Sequence, residues 1–291
     1  MPTVPVVDAH VHLWDPEQFR MSWLDSTPLL NQRYLLPEYE EHTRGIDIQS
    51  MVYMQVEVET PYAYLEAAFV CELAKQDRRI QAIVAWAPLE YGDRSRVFLE
   101  ALVRLSPLIK GIRRIIQFET DPGFCLRTDF VRGVHILSEY GLTFDICIDH
   151  RQMSNAIALV RQCPNTSFIL DHIGKPDIRN HAIEPWKRQL VEMAGLPNVA
   201  CKISGLVTEA NHNAWTPEDL RPFIGHVLDC FGEDRVLFGS DWPVVLQASA
   251  YDRWADTLND LSSHLSSVAR AKLWVENARR IYRLPKASTC D

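Results

Sequence analysis

Eight short runs rich in valine and isoleucine recur along the chain, each followed by a stretch with helical spacing, and this alternation constrains the fold more than any other feature. The runs are VPVVDAHVH (4–12), QSMVYMQVE (49–57), IQAIVAWAP (80–88), IKGIRRII (109–116), LTFDICI (142–148), TSFILDH (166–172), NVACKIS (198–204) and RVLFGSDWP (235–243). Apolar runs with little polar alternation suit strands covered on both faces, the signature of a parallel sheet. The intervening sequence predicts helices over 61–76, 93–105, 128–140, 153–162, 184–194, 216–231 and 251–282, the last broken in two. Start signals include Thr216-Pro217-Glu218-Asp219 and Gly92-Asp93, where a cap and early acids suit the positive end of a helix. Eight such units argue for a (β/α)8 barrel, with a doubly wound open sheet as the alternative. No composition break or linker divides the 291 residues, so one domain over 1–291 is expected. The longer first connection, residues 13–47, holds Trp14, Trp23 and several prolines and reads as an extended loop over the barrel mouth.

In such a barrel the active site lies at the C-terminal strand ends. The polar side chains collect there. The first run ends in DAHVHLWD, and a strand period of two would put Asp8, His10 and His12 on one face. The second run ends in Gln55 and Glu57, the fourth carries Arg113, the fifth is followed by Asp149-His150-Arg151-Gln152, the sixth ends in Asp171-His172, the seventh carries Lys202 and the eighth ends in Asp241-Trp242. One strand histidine is ordinarily a satisfied core residue. The HxH pair together with His172 and Asp241 instead offers imidazole and carboxylate donors suited to zinc or a similar divalent ion, with a position left for water. Without a metal the same cluster would orient water through hydrogen bonds. Asp8 reads equally as a partner orienting this cluster or as a buried hydrogen-bond acceptor deeper in the barrel.

The formal charge of −8 and the lack of any basic cluster beyond Arg113-Arg114 and Arg279-Arg280 argue against nucleic acid. No basic segment followed by an apolar stretch opens the chain, and no apolar run approaches the ~20 residues of a membrane span, so a cytoplasmic protein is expected. Seven cysteines without a CxxC point away from disulfides and thiolate metal sites; Cys147 and Cys201 read as buried thiols. GxSxG, GxGxxG and GxxxxGKS are all absent, which leaves no nucleophile elbow and no seat for a nucleotide cofactor.

DAHVHLWD, LDHIGKP, CKISGL and LFGSDWP, in this order and at these strand ends, resemble the metal-dependent-hydrolase-like branch of the amidohydrolase superfamily, and more narrowly its L-fuconolactonase and L-rhamnonolactonase type of sugar lactonases. The resemblance runs from Val6 to about Leu284 and implies a (β/α)8 barrel in which His10 and His12 match the strand-one pair, His172 the strand-six histidine and Asp241 the strand-eight aspartate. Strand four reads GIRRII at its mouth end, without the bridging residue of the dinuclear members, so a single ion or none is implied, zinc being favoured. The implied reaction is opening of a sugar-acid lactone, with Asp241 activating water and His172, His10 and His12 polarising the carbonyl.

Arg113, His150, Gln152, Lys202 and Glu57 would bind this small-molecule substrate, with Trp23, Trp86 and Trp242 offering flat faces to the sugar ring. The structural alternative pairs Arg113 and Lys202 with Glu57 or Asp149 and leaves the tryptophans as packing. Two other functions share the same core residues: non-redox decarboxylation of an aromatic or enoic acid, and non-catalytic binding of a small acid. A homo-oligomer is compatible with the sequence.

Overall fold

The computed structural model describes residues 4–285. Strand and helix alternate as β1 (Val6–Val11), α1 (Leu36–His42), β2 (Ile48–Met54), α2 (Ala63–Gln76), β3 (Ile80–Ala85), α3 (Ser95–Leu105), β4 (Ile109–Ile112) and α4 (Thr128–Leu137). The second half continues with β5 (Thr143–Ile146), α5 (Met153–Gln162), β6 (Phe168–Leu170), α6 (Trp186–Ala194), β7 (Val199–Ile203), α7 (Pro217–Phe231), β8 (Val236–Phe238) and α8 (Tyr251–Leu261). The strands form one parallel sheet in chain order. A Val11–Trp242 bridge brings the first strand back to the last, with His12 N–H donating to the Trp242 carbonyl and Asp241 N–H to that of His10. The molecule is a (β/α)8 barrel, and the open-sheet alternative falls.

The apolar runs explain the two packed layers. One face of each strand meets the helices, in a layer that includes Tyr53, Phe144, Phe168 and Phe238. The other fills the barrel with Val7, Val52, Val84, Ile169 and Leu237. The last helical stretch breaks as expected, into α8 and a second run of α9 (Ser267–Ala271), a π turn (Lys272–Glu276) and α10 (Asn277–Ile281). That second run closes the floor, where Ala278, Tyr282 and Leu284 join the interior layer.

Thr216 and Asp219 form the expected capping box of α7. Gly92-Asp93 does not cap α3. Gly92 takes φ 58° inside a 3-10 turn over Leu89–Arg94, and Asp93 accepts from Arg132 instead. The helix begins at Ser95, whose hydroxyl donates to the Pro88 carbonyl. The first connection is more ordered than an extended loop: it carries a 3-10 turn at Ser22–Ser26 and α1, and is tied by paired Trp14–Tyr34 backbone bonds. Among the described residues six cysteines are free and no helix is long and apolar enough to cross a membrane.

Candidate active site

A bulge in β1 decides what the barrel mouth contains. The register against β2 slips between Asp8 and Val11, so Asp8 does not share a face with the histidines as a regular period would require. Its carboxylate turns toward the surrounding helices and accepts from the Tyr39 hydroxyl of α1 at 3.1 Å, the Tyr251 hydroxyl of α8 at 2.9 Å and Ser240 N–H at 2.8 Å. Asp8 is thus a buried acceptor that ties β1 to β8 and two helices. His10 and His12 face the barrel interior, their ring centres 5.0 Å apart, with the His172 ring 4.5 Å from that of His10.

Asp241, at the end of β8, completes the cluster: its Oδ1 lies 3.3 Å from His12 Nε2 and 3.5 Å from His10 Nε2. His12 Nδ1 sits 2.8 Å from the Met54 carbonyl, which can only accept, so Nδ1 carries the proton. Its Nε2 then points a lone pair at Asp241 Oδ1. Two acceptors in contact need a proton or a cation between them. Burial lowers the proton affinity of His10 and His12, and that of His172 falls, chiefly through burial, to about 4, so all three rings are neutral at pH 7. Burial opposes ionisation of Asp241, but His172, the His12 contact and His10 hold its carboxyl well below the usual range. Neutral imidazoles facing a carboxylate are the donor set a divalent ion takes. His10, His12 and Asp241 have ligand atoms within 4.8 Å of one another, as do His10, Asp171 and His172. The four expected ligands, together with Asp171, therefore fall into two overlapping groups that share His10.

Below the cluster runs a column of buried charge. Lys202 Nζ bonds Asp145 Oδ2 at 2.6 Å and lies 3.0 Å from Asp171 Oδ1 and 3.5 Å from His10 Nδ1. Arg113 donates to Asp171 Oδ2 at 3.3 Å and to the Gln55 carbonyl, and its Nη1 lies 3.1 Å from His10 Nε2. The Tyr282 hydroxyl donates to Asp145 from the floor. Burial opposes ionisation of Asp171, but Lys202, His10 and Arg113 keep its carboxyl well below the usual range; burial pushes that of Asp145 up.

These contacts place the expected substrate residues differently. Arg113 and Lys202 pair with Asp171 and Asp145 in the column, not with Glu57 or Asp149 as the structural alternative had it. Gln152 spends both ends of its amide on the Asp149 N–H and the Ile116 carbonyl. Trp242 is fully buried, edge-on to Tyr34 and Tyr39, with its indole N–H on His42 Nδ1. Trp86 lines an apolar cleft with Tyr64 and Phe98, between α2 and α3. Trp23, half-buried, stands edge-on to Trp14 and donates to the Val56 carbonyl. Half-buried Glu57 accepts from Gln55 Nε2, and His150 Nδ1 lies 3.0 Å from the Lys175 carbonyl.

Backbone strain concentrates here. Glu57, His172, Ile173, Lys175 and Asp241 all adopt φ between 48° and 61°, a conformation held only where surrounding structure enforces it. The turn His172–Lys175 lets consecutive Asp171 and His172 both face the site, against strand alternation. Gly205 (φ 63°) fits against it, since a Cβ there would lie 2.4 Å from His172 Nδ1. Sequence reasoning passed over Asp145, Lys175, Glu209 and Gly205; the glycine after CKIS and the lysine inside LDHIGKP were the available signals.

A family model for amidohydrolases matches residues 7–284. The chain is 32% identical over 300 residues to an L-fucono-1,5-lactonase of Burkholderia multivorans, covering 96% of each protein. It is 25% identical to an L-rhamnono-gamma-lactonase of Scheffersomyces stipitis, covering 96% of this chain and 98% of that one. A crystal structure of a Burkholderia multivorans amidohydrolase with bound zinc superposes with a TM-score of 0.87 at 30% identity, over 97% of this chain and 100% of the other. With residues 7–284 matched and the strand-end cluster assembled at the mouth of the barrel, the chain belongs to the amidohydrolase family.

Proposed function

We propose that the protein hydrolyses the internal ester of a sugar-acid lactone, with Asp241 as general base. The observation that carries the reading is the Asp241 carboxylate, kept ionised and facing neutral His10 in β1 and neutral His12 just past its end. Similarity to enzymes named for L-fucono-1,5-lactone and L-rhamnono-gamma-lactone, over nearly the whole of both chains, supports the substrate class. His10, His12 and Asp241 suit a single divalent ion such as zinc, with His172 beside them; when bound, it would polarise the carbonyl as a Lewis acid.

The protein's own groups divide the remaining work. Asp241 takes a proton from water as its oxygen attacks the lactone carbonyl. The acyl bond to the ring oxygen then breaks, and the proton passes from Asp241 to that oxygen, leaving an open hydroxy acid. Arg113 and Lys202 hold His10 in place from below. His172 is steadied by Ser204, whose hydroxyl lies 3.0 Å from Nδ1.

The test is a pH-indicator assay on a panel of five- and six-membered aldonolactones, with metal content measured on the same protein. Acid release is expected; carbon dioxide release from aromatic acids would replace this reading with decarboxylation. Asp241→Asn keeps the shape of the side chain but removes the base, so kcat should fall at least about a hundredfold. Ligand binding should change far less. A variant with near-normal kcat would remove Asp241 as the base.

A further inference from the structure

Lys175 stands at the mouth on the same left-handed turn as His172, its N–H bonded to the His172 carbonyl at 2.8 Å. Its side chain is 19% exposed, and its one ion-pair contact among the described residues is Glu209 Oε1, at 3.7 Å, itself 28% exposed. A lysine ammonium is charged at neutral pH, and the turn after β6 carries this one at the C-terminal end of the barrel. An ammonium has three donors, and a pair separated by 3.7 Å uses them poorly. The donors of Lys175 and the acceptor oxygens of Glu209 are left side by side, with Lys175 on the turn that carries His172.

Resting on the lactonase reading, we propose that Lys175 and Glu209 form a clamp for the ring hydroxyls of a neutral polyhydroxylated lactone and select it over lactones or acids that lack those groups. A hydroxyl both accepts and donates, so adjacent hydroxyls satisfy an ammonium and a carboxylate together. A carboxylate ligand only accepts, and would meet the charge of Glu209. The clamp carries no net charge, which suits a neutral polyol better than an anion. The strain at His172, Ile173 and Lys175 buttresses the arrangement, because one turn sets both the histidine and the ammonium.

Kinetics on two probes test this: L-fucono-1,5-lactone, which bears hydroxyls, and δ-valerolactone, which has none, the latter measured as a competitive inhibitor if its turnover is slow. Lys175→Met and Glu209→Gln should each lower kcat/KM for the hydroxylated lactone about 10- to 100-fold, mainly through KM, as expected for a lost charge-assisted hydrogen bond. Either constant for δ-valerolactone should change less than about threefold. Melting curves identify any variant that fails to fold, and the isosteric Glu209→Gln serves if Lys175→Met does. Equal losses on both probes, or no loss on either, would overturn the clamp while leaving lactone hydrolysis standing. A wild-type protein that opens no lactone in the panel would instead overturn the lactonase reading, and the clamp with it.

Discussion

The column inside the barrel and the ion pairs on its outside use the same side chains at the same distances, yet they ask different things of the protein. Lys202 and Asp145 meet at 2.6 Å with no exposure, and Arg96 and Glu139 also meet at 2.6 Å, but with 32% and 51% of their side chains in solvent. Outside, water screens the attraction and would solvate either partner alone, so such a pair adds little. Inside, the charges have lost their hydration and depend on one another. Length does not rank these bridges; what would be left behind on losing a partner does. The column therefore holds the site in place as a set, and its value is lost if one member goes.

Deleting one column member breaks this contrast most sharply. Lys202→Met leaves Asp145 and Asp171 facing each other without their shared cation, and should destabilise the fold by about 3–5 kcal/mol, read as a shifted urea midpoint with an unchanged slope. A loss below about 1 kcal/mol would place the column with the surface pairs.

Glu66 is a buried carboxyl with no ion pair among the described residues, and it behaves differently. Glu66 accepts from Val56 N–H at 2.7 Å and the Tyr53 hydroxyl at 2.8 Å, and burial raises its pKa to about 7. The native state holds this proton more tightly than the unfolded chain, so its contribution to stability is complete below pH 4.5 and is lost as pH rises through 7. Glu66→Gln should remove that slope and be more stable than wild type at pH 8 by up to about 3 kcal/mol, with little difference near pH 4. Parallel stability curves for the two proteins would show that burial is not what governs this group.

Tyr282→Phe removes only the hydroxyl that meets Asp145. It should lower stability by about 1–2 kcal/mol in the same denaturation assay, and no loss would mean that Asp145 is satisfied by Lys202 and the Thr143 hydroxyl. Arg96→Ala is the smallest expected effect: the Tm should stay within about 2 °C at low salt and be indistinguishable from wild type at high salt. A larger shift would move the outside pairs into the same class as the column.

The parts of the molecule legible in the sequence are those that follow from local period and general chain rules. Apolar runs gave the strands, and barrel closure brings His10, His12, His172 and Asp241 together from three different strand ends. Asp8 was misplaced because a bulge arises from pairing against neighbouring strands, not from the pattern of β1 itself. Arg113 and Lys202 stood out as charged residues near strand ends, but their partners lie across the barrel on β5 and just past β6, and linear sequence carries no record of that crossing. Trp242 follows Asp241 directly, yet the first connection wraps around it and buries it in aromatic rings. Lys175 escaped notice because a loop lysine is ordinarily solvated, and only the left-handed turn sets it beside His172 at the end of β6.

Tyr282 lies beyond all eight strands in chain order, while His10 belongs to the first. A ribosome making this protein emits the histidine long before the hydroxyl that finishes the column beneath it, and Asp145 and Lys202 also precede the group that closes the floor under them. The interior is thus completed from the far end of the chain: a nascent chain that still lacks Ala278, Tyr282 and Leu284 presents a set of strands without the residues that finish the layer inside them.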